Sequence, residues 1–569
     1  MANNTSTSAW LDDFFASYFR HRPVSATFIG MHDYDDQLPD YSAAAVAEQL
    51  AETRHLLARV DSGEVDPPTT KWEEVDRLLA RNYLLTQVWE LSGTHIVLGN
   101  PCLYTGEAVF GIVTLFLRDF RPFDERVEAA VRRLDAIPAF LAQSRENVQS
   151  APAAWVDRAV NECDGAVALL TEGVSVLAER YSATRRDFAD AAARAADAFR
   201  DHRQYCTDVL APASHDNDNY AAGAEAFDML VRLGHCLDMD GAEVTAYAER
   251  RLNEARALLS EDAAKIDPSV TPSELLAQLA DEHPSAADYY GTYQQQWDQA
   301  KAFATERDLL TWPDYPISFE PIPDWARAAA PHLYFLFYRA PAPFDTHVTQ
   351  RYVVTPIEPD MPEGEQDQRL RATNLSQIRL NHVIHHGGIG HHVQNWWAYR
   401  GESRVGRIAA VDCSLRIAML SGGTMCEGWA CYATDLMAEQ GYLTPLEKLA
   451  EHQGLARMAG RAIADAKLHS GEFTFDEAVA FYRDEIGMPE VASRAEAIKN
   501  SMFPGAAMMY VIGTDMIHDL RESRREQQGA DFDLGRFHDE FLSHGSIPVA
   551  LTAKLMQGVS IGSGVSFPP

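Results

Sequence analysis

Trp72–Leu91 reads WEEVDRLLARNYLLTQVWEL. Its apolar residues recur three and four apart, the spacing that gathers side chains onto one face of an α-helix. Charged residues take the remaining faces, so the stretch predicts an amphipathic helix with one side turned to a core. Phe188–Leu210 and Ala242–Leu259 are Ala-rich and carry the same signal. Most of the first 310 residues follow suit, with Pro and Gly as punctuation, no long Gly/Ser linker, and no self-similar period of the kind that marks a solenoid. The expected fold class is mainly α.

The texture changes near residue 312. Leu333–Tyr338 (LYFLFY) and His347–Ile357 (HVTQRYVVTPI) are rich in aromatic and β-branched residues and short enough to be strands. They predict a small β element over 333–357, after which an acidic stretch, Glu358–Gln368, leads back into helix at Leu370. With no linker visible, the expected organisation is a single interleaved helical unit over 1–569. Its N-terminal helical half would be 1–311, and its C-terminal half, carrying the chemistry, 312–569.

The 569 residues hold 49 Lys+Arg against 83 Asp+Glu, a net charge of −34. Such a charge repels nucleic-acid phosphates and anionic lipid, so neither is expected as a partner. A hydrophobic content of 46% supplies a large core and sets the chain apart from disordered polyanions. No run of 18 apolar residues suggests a membrane span. The opening Met1–Ser6 lacks the basic region and apolar stretch of a secretory signal. The seven cysteines are odd in number, scattered, and form no CxxC pair. Reduced thiols and a cytoplasmic location are therefore expected.

The chemistry concentrates in Asn381–Arg400, NHVIHHGGIGHHVQNWWAYR. Five of the chain's twenty histidines (His382, His385, His386, His391 and His392) fall within eleven residues. Neutral imidazole binds zinc most often and also suits iron, nickel and copper. The plainer reading is solvated or core histidines clustered by chance; two HH pairs flanking three glycines argue for metal. On a regular helix His382 and His386 share a face, as do His385 and His392. His385 and His391 stand about 240° apart around an ideal helix, so their pairing needs a local bulge. Gly387, Gly388 and Gly390 would permit one.

The segment His385–Gln394 (HHGGIGHHVQ) resembles the signature H-E-x-x-P-G-H-H-x-Q of the bacterial "domain of unknown function 885" proteins, helical relatives of zincin-type metallopeptidases. Pro23–Asp40, Glu427–Tyr432 (EGWACY), Asp465–His469 (DAKLH), Pro504–Gly513 (PGAAMMYVIG) and Phe537–Pro548 (FHDEFLSHGSIP) are similar to further elements of that family, in the same order. The resemblance implies that His385, His391 and Glu427 hold one divalent metal ion, zinc or alternatively iron, with a fourth position left for water. Glu427 also suits that role on physical grounds, since a carboxylate opening the apolar stretch Met425–Met437 needs a partner if buried. Its plainer reading is a helix-start carboxylate favoured by the dipole.

The sequence departs from the family pattern where it matters most. His386 stands where the motif has the Glu that takes a proton from the attacking water. Ile389 replaces the motif's Pro, and Ala506 its Gln. A histidine can act as general base near neutral pH, or it can become an extra ligand. Tyr510 is a candidate oxyanion donor and His469 a candidate proton carrier, each weighed against a core-packing role. Arg494 and Arg521 are candidate clamps for a substrate carboxylate, weighed against ordinary ion pairing. The pattern GVSIG at Gly558–Gly562 sits too close to the end to be a serine-nucleophile elbow. The expected activity is metal-dependent hydrolysis of an amide-like bond in a small molecule or short peptide. Two alternatives accompany it: a non-hydrolytic metalloenzyme (lyase, cyclase or oxidative), and a binding protein without catalysis.

Overall fold

A computed structural model describes residues 5–180, 186–214, 221–333, 338–339, 342–345, 350–358, 361–410 and 416–561. The fold is predominantly helical, as expected. The chain forms two compact units, one of residues 1–222 and 322–348, the other of 223–321 and 349–569. The division therefore falls at 222 rather than 311. The helices between these positions belong with the C-terminal residues because Gly241–Ile266 packs along Pro445–Ser470.

In the first unit, the helix Lys71–Ser92 is capped by Thr70, whose Oγ1 accepts from the Glu73 amide at 3.1 Å. It buries Trp72, Val75, Leu79, Tyr83 and Leu91, the stripe its sequence spacing predicts. The helix Arg186–Tyr205 buries Phe188, Ala191, Ala192, Ala195, Ala196 and Phe199 on the same principle. It then widens to an i→i+5 turn over Cys206–Leu210. Arg133 is fully buried, and its guanidinium is satisfied by the Gln37 carbonyl at 2.9 Å and Thr27 Oγ1 at 2.7 Å, among others.

The second unit carries the histidine cluster. Its elements, in chain order, are α1 (Gly241–Ile266), α2 (Tyr289–Glu306), β1 (Ile317–Pro321), β2 (Gln350–Val354), a wide-turn segment Ile378–Gly387, α3 (His391–Arg400), α4 (Gly423–Glu439), α5 (Pro445–Ser470), α6 (Glu490–Met502) and α7 (Met509–Gln528). Two of the long helices start with reciprocal caps, Asp240/Glu243 on α1 and Thr444/Glu447 on α5. The β element is present within 333–357 as expected, where Tyr338–Arg339 and β2 are strands, and it gains a strand the sequence did not suggest. Strand β2 lies within the predicted His347–Ile357, but its partner is β1, in parallel register from Ile317 opposite Gln350 to Pro321 opposite Val354. Of the expected strand Leu333–Tyr338, residues 334–337 lie outside the described residues.

Helices α4 and α7 approach to backbone contact. A Cβ built on Gly428 would lie 2.6 Å from the Gly513 carbonyl carbon, and one on Gly513 would collide with the Thr424 carbonyl oxygen. Thr514 reinforces the contact by donating to the Gly428 carbonyl at 3.3 Å. Gly428 directly follows Glu427, so this contact sets where that carboxylate sits. Replacing Gly513 by Ala is expected to lower unfolding free energy by about 3 kcal/mol, the upper end for overpacking because backbone cannot yield as a side chain does. A urea midpoint unchanged from wild type would contradict the contact.

Candidate metal centre

Three separate elements bring the site together. His385 lies in the last turn of the wide-turn segment, His391 opens α3, and Glu427 lies in the first turns of α4. The glycines between the histidine pairs have the role their spacing suggests. A Cβ on Gly390 would overlap the His385 carbonyl, and the Gly390 amide donates to the Ile384 carbonyl at 3.0 Å. The helix thus breaks between His385 and His391 instead of continuing. Trp429, fully buried, donates from its indole to the Ile389 carbonyl at 2.8 Å, which ties this loop to α4.

Both imidazoles converge on one carboxylate oxygen. His385 Nε2 lies 3.4 Å and His391 Nε2 3.7 Å from Glu427 Oε2. Ligands about 2.0–2.2 Å from a tetrahedral zinc ion stand about 3.3 Å apart along each edge, so this spacing suits a shared cation. His391 is fully buried and Glu427 is 5% exposed. Burial alone would push the Glu427 carboxyl up, but hydrogen bonding and charge from His385 and His391 outweigh it and hold the group well below the usual carboxylate range. Glu427 is therefore an anion facing two nitrogen donors.

His386 faces the same space. A nitrogen from each of His385, His386 and His391 can be chosen so that all lie within 4.8 Å of one another. Its Nδ1 lies 2.7 Å from the Asn381 carbonyl oxygen, which can only accept, so Nδ1 carries the proton and Nε2 presents a lone pair. Burial, then the neighbouring His385 and His391, push its pKa well below the ordinary value. The other two histidines of the cluster sit among aromatic groups. His382 Nδ1 meets the Tyr352 hydroxyl at 2.5 Å, and the His392 ring lies edge-on to Tyr315 and Trp297.

The remaining predicted residues are placed elsewhere or otherwise engaged. Arg521 is bidentate on Glu439 at 2.8 and 3.0 Å and also donates to the Tyr432 hydroxyl, so its guanidinium serves a structural ion pair. Arg494 is exposed on α6 and lies over the Phe475 ring. His469 is buried, with Nε2 donating to the Asn500 carbonyl at 2.9 Å. Tyr510 is buried on α7, with Arg461 over its ring at 5.1 Å and Lys499 at 5.8 Å. Cys431, one turn beyond Glu427, is held as a neutral thiol, because burial and the Glu427 charge push its pKa well up. A residue passed over in the sequence, Arg457 on α5, lies near enough to His385 and Cys431 to act on both electrostatically. The signal for it was available: two arginines four apart, Arg457 and Arg461, in an otherwise Ala-rich stretch.

Residues 23–556 match the family described as "Bacterial protein of unknown function (DUF885)". No curated protein matches the sequence. A "putative lipoprotein of unknown function" from Shewanella oneidensis shares the fold with a TM-score of 0.77 and 20% identity, covering 97% of this chain and 100% of its own. A "putative lipoprotein" from Colwellia psychrerythraea does so with a TM-score of 0.75 and 16% identity, covering 97% and 99%. These descriptions overturn the cytoplasmic expectation. Scattered cysteines and an opening without a signal pattern do not fix a compartment. No described helix is long and apolar enough to cross a membrane.

Several buried histidines outside the cluster make the fold sensitive to acid. Burial lowers His235, His469 and His538 each to about 4, and each ring is fixed by a carbonyl, of Gly505, Asn500 and Leu309 respectively. Their unfolded value is about 6.5, so the folded state holds fewer protons between these limits. The stability they contribute is complete above about pH 6.5 and is lost as pH falls towards 4, on the order of 3 kcal/mol for each ring. His469→Gln, with an amide that can still donate to Asn500, is expected to shrink that slope in urea titrations from pH 7 to 4. An undiminished slope would show that His469 does not contribute to it.

Proposed function

Because the chain belongs to the bacterial DUF885 family, we propose that its histidine cluster holds one divalent metal ion and that the protein hydrolyses an amide-like bond in a small molecule or short peptide. The observation that carries this reading is the convergence of His385 and His391 on Glu427 Oε2. Two imidazoles and one carboxylate form the donor set of zincin-type hydrolases, and ferrous iron accepts the same donors. A bound ion would supply a Lewis acid for the scissile carbonyl.

The chain's own groups would manage the proton. His386, with Nδ1–H held by the Asn381 carbonyl, offers Nε2 to accept a proton from the attacking water and return it to the leaving nitrogen. This places histidine where the family motif has Glu. Proton uptake adds one positive charge to either base, but it takes histidine from neutral to cationic where it takes a carboxylate from anionic to neutral. One observation favours a second reading: the three histidine nitrogens lie within 4.8 Å of one another. His386 would then be a fourth protein ligand, and the site a non-hydrolytic metalloenzyme's.

Elemental analysis after zinc loading and desalting tests the first claim. About one equivalent of metal is expected in wild type and in His386→Ala, and far less in His385→Ala and His391→Ala. A wild-type protein without metal, or a His391→Ala variant that keeps it, would overturn the centre. The role of His386 is tested by His386→Glu assayed on short peptides. Gained or enhanced amide hydrolysis supports the hydrolase reading, whereas loss of bound metal in His386→Ala supports the ligand reading.

A further inference from the structure

Arginines 457 and 461 lie one turn apart on α5 and so share a face. Arg461 is neutralised, with Nε donating to Glu496 Oε2 at 2.8 Å and the guanidinium resting over the Tyr510 ring. Arg457 differs. Among the described residues it has no hydrogen-bond or ion-pair partner, and its Nε is buried from solvent. Arg145 and Arg407 share this state, whereas Arg133 is surrounded by oxygen acceptors and Arg379 is bidentate on Glu447 at 2.7 and 2.8 Å; what sets Arg457 apart is its place beside the histidine cluster. A guanidinium does not deprotonate, so a sheltered one without a partner calls for an anion from outside the fold. The residue as a whole keeps partial exposure, which leaves the rest of the guanidinium within reach of a ligand.

The position is as informative as the vacancy of partners. Arg457 acts electrostatically on His385, and through Cys431 and Tyr510 it borders the turn after Glu427 and the start of α7. Glu496, a carboxylate near it, is taken by Arg461, so it does not neutralise Arg457 beside the histidine cluster. In a chain of net charge −34, a positive spot next to the candidate centre discriminates sharply between ligands.

We propose that Arg457 binds a free carboxylate of the substrate, which makes the protein selective for small amides or short peptides that end in a carboxylate close to the bond attacked. The proposal rests on the metal-centre reading for the placement of that bond, whereas carboxylate binding itself needs only Arg457. The planar fork of the guanidinium suits two parallel bonds to the two carboxylate oxygens. Arg494 and Arg521, the arginines first suggested for this task, are respectively exposed and already engaged.

The test uses N-benzoylglycine as probe and its carboxamide as the neutral control, titrated by calorimetry into full-length protein, both zinc-loaded and chelator-stripped. The acid is expected to bind at least ten-fold tighter than the amide in both forms. Arg457→Gln should erase that preference, and Arg457→Lys should keep part of it, with metal content unchanged in both. Equal binding of acid and amide by wild type, or a preference that survives Arg457→Gln, would overturn the proposal. A preference found only with zinc and insensitive to Arg457→Gln would assign the carboxylate to the metal and likewise overturn it. If the protein holds no metal and the Arg457-dependent preference persists, the metal centre fails while the carboxylate site stands. Thermal melts give a second check. Arg457→Gln should be at least as stable as wild type, since no folded partner is lost, and a markedly lower Tm would reveal a structural role instead.

Discussion

A carboxylate buried in the first turns of an apolar helix must be met by something that favours its charge, and at Glu427 that something is a pair of imidazoles from two other elements. Much of the second unit serves this encounter. The wide-turn segment carries His385 to the place, the glycine loop breaks the helix so that His391 opens a new one, and Trp429 holds the loop by its Ile389 carbonyl. Glu427 in turn is placed by α4, whose position is set by the glycine-to-glycine contact with α7.

The same packing explains why residues distant in sequence belong to one chemical neighbourhood. Helix α5 runs beside α4, α6 and α7, and brings Arg457 and Arg461 to the turn after Glu427 and to Tyr510. Arg461 answers Glu496 within the fold, while Arg457 does not find a partner there. In the proposed function, proton handling and charge recognition would fall to different residues: His386, with its tautomer set by the Asn381 carbonyl, and Arg457.

Helices and the histidine cluster were legible in the sequence because both are local. Trp72–Leu91 shows its buried stripe directly, and two HH pairs separated by glycines announce both donors and a bend. Glu427 required the family resemblance, since a single Glu opening an apolar helix has an ordinary explanation. Strand β1 was missed because Ile317–Pro321 is short and pairs in parallel with a strand about thirty residues on, a partnership without a local sign. Arg521 looked like a substrate clamp until its partner Glu439, 82 residues away, was seen to occupy it. His469 likewise looked chemical, yet its ring is spent on the Asn500 carbonyl. Arg457 escaped notice for the converse reason: its significance lies in the lack of a folded partner, which composition and spacing do not reveal.

The central claim is that His385, His391 and Glu427 bind one cation together. Anomalous diffraction from crystals grown with zinc, collected on both sides of the zinc edge, tests it most directly. One strong peak is expected about 2.0–2.2 Å from His385 Nε2, His391 Nε2 and a Glu427 carboxylate oxygen. A map without a peak there, or with zinc held only by surface carboxylates, would contradict it.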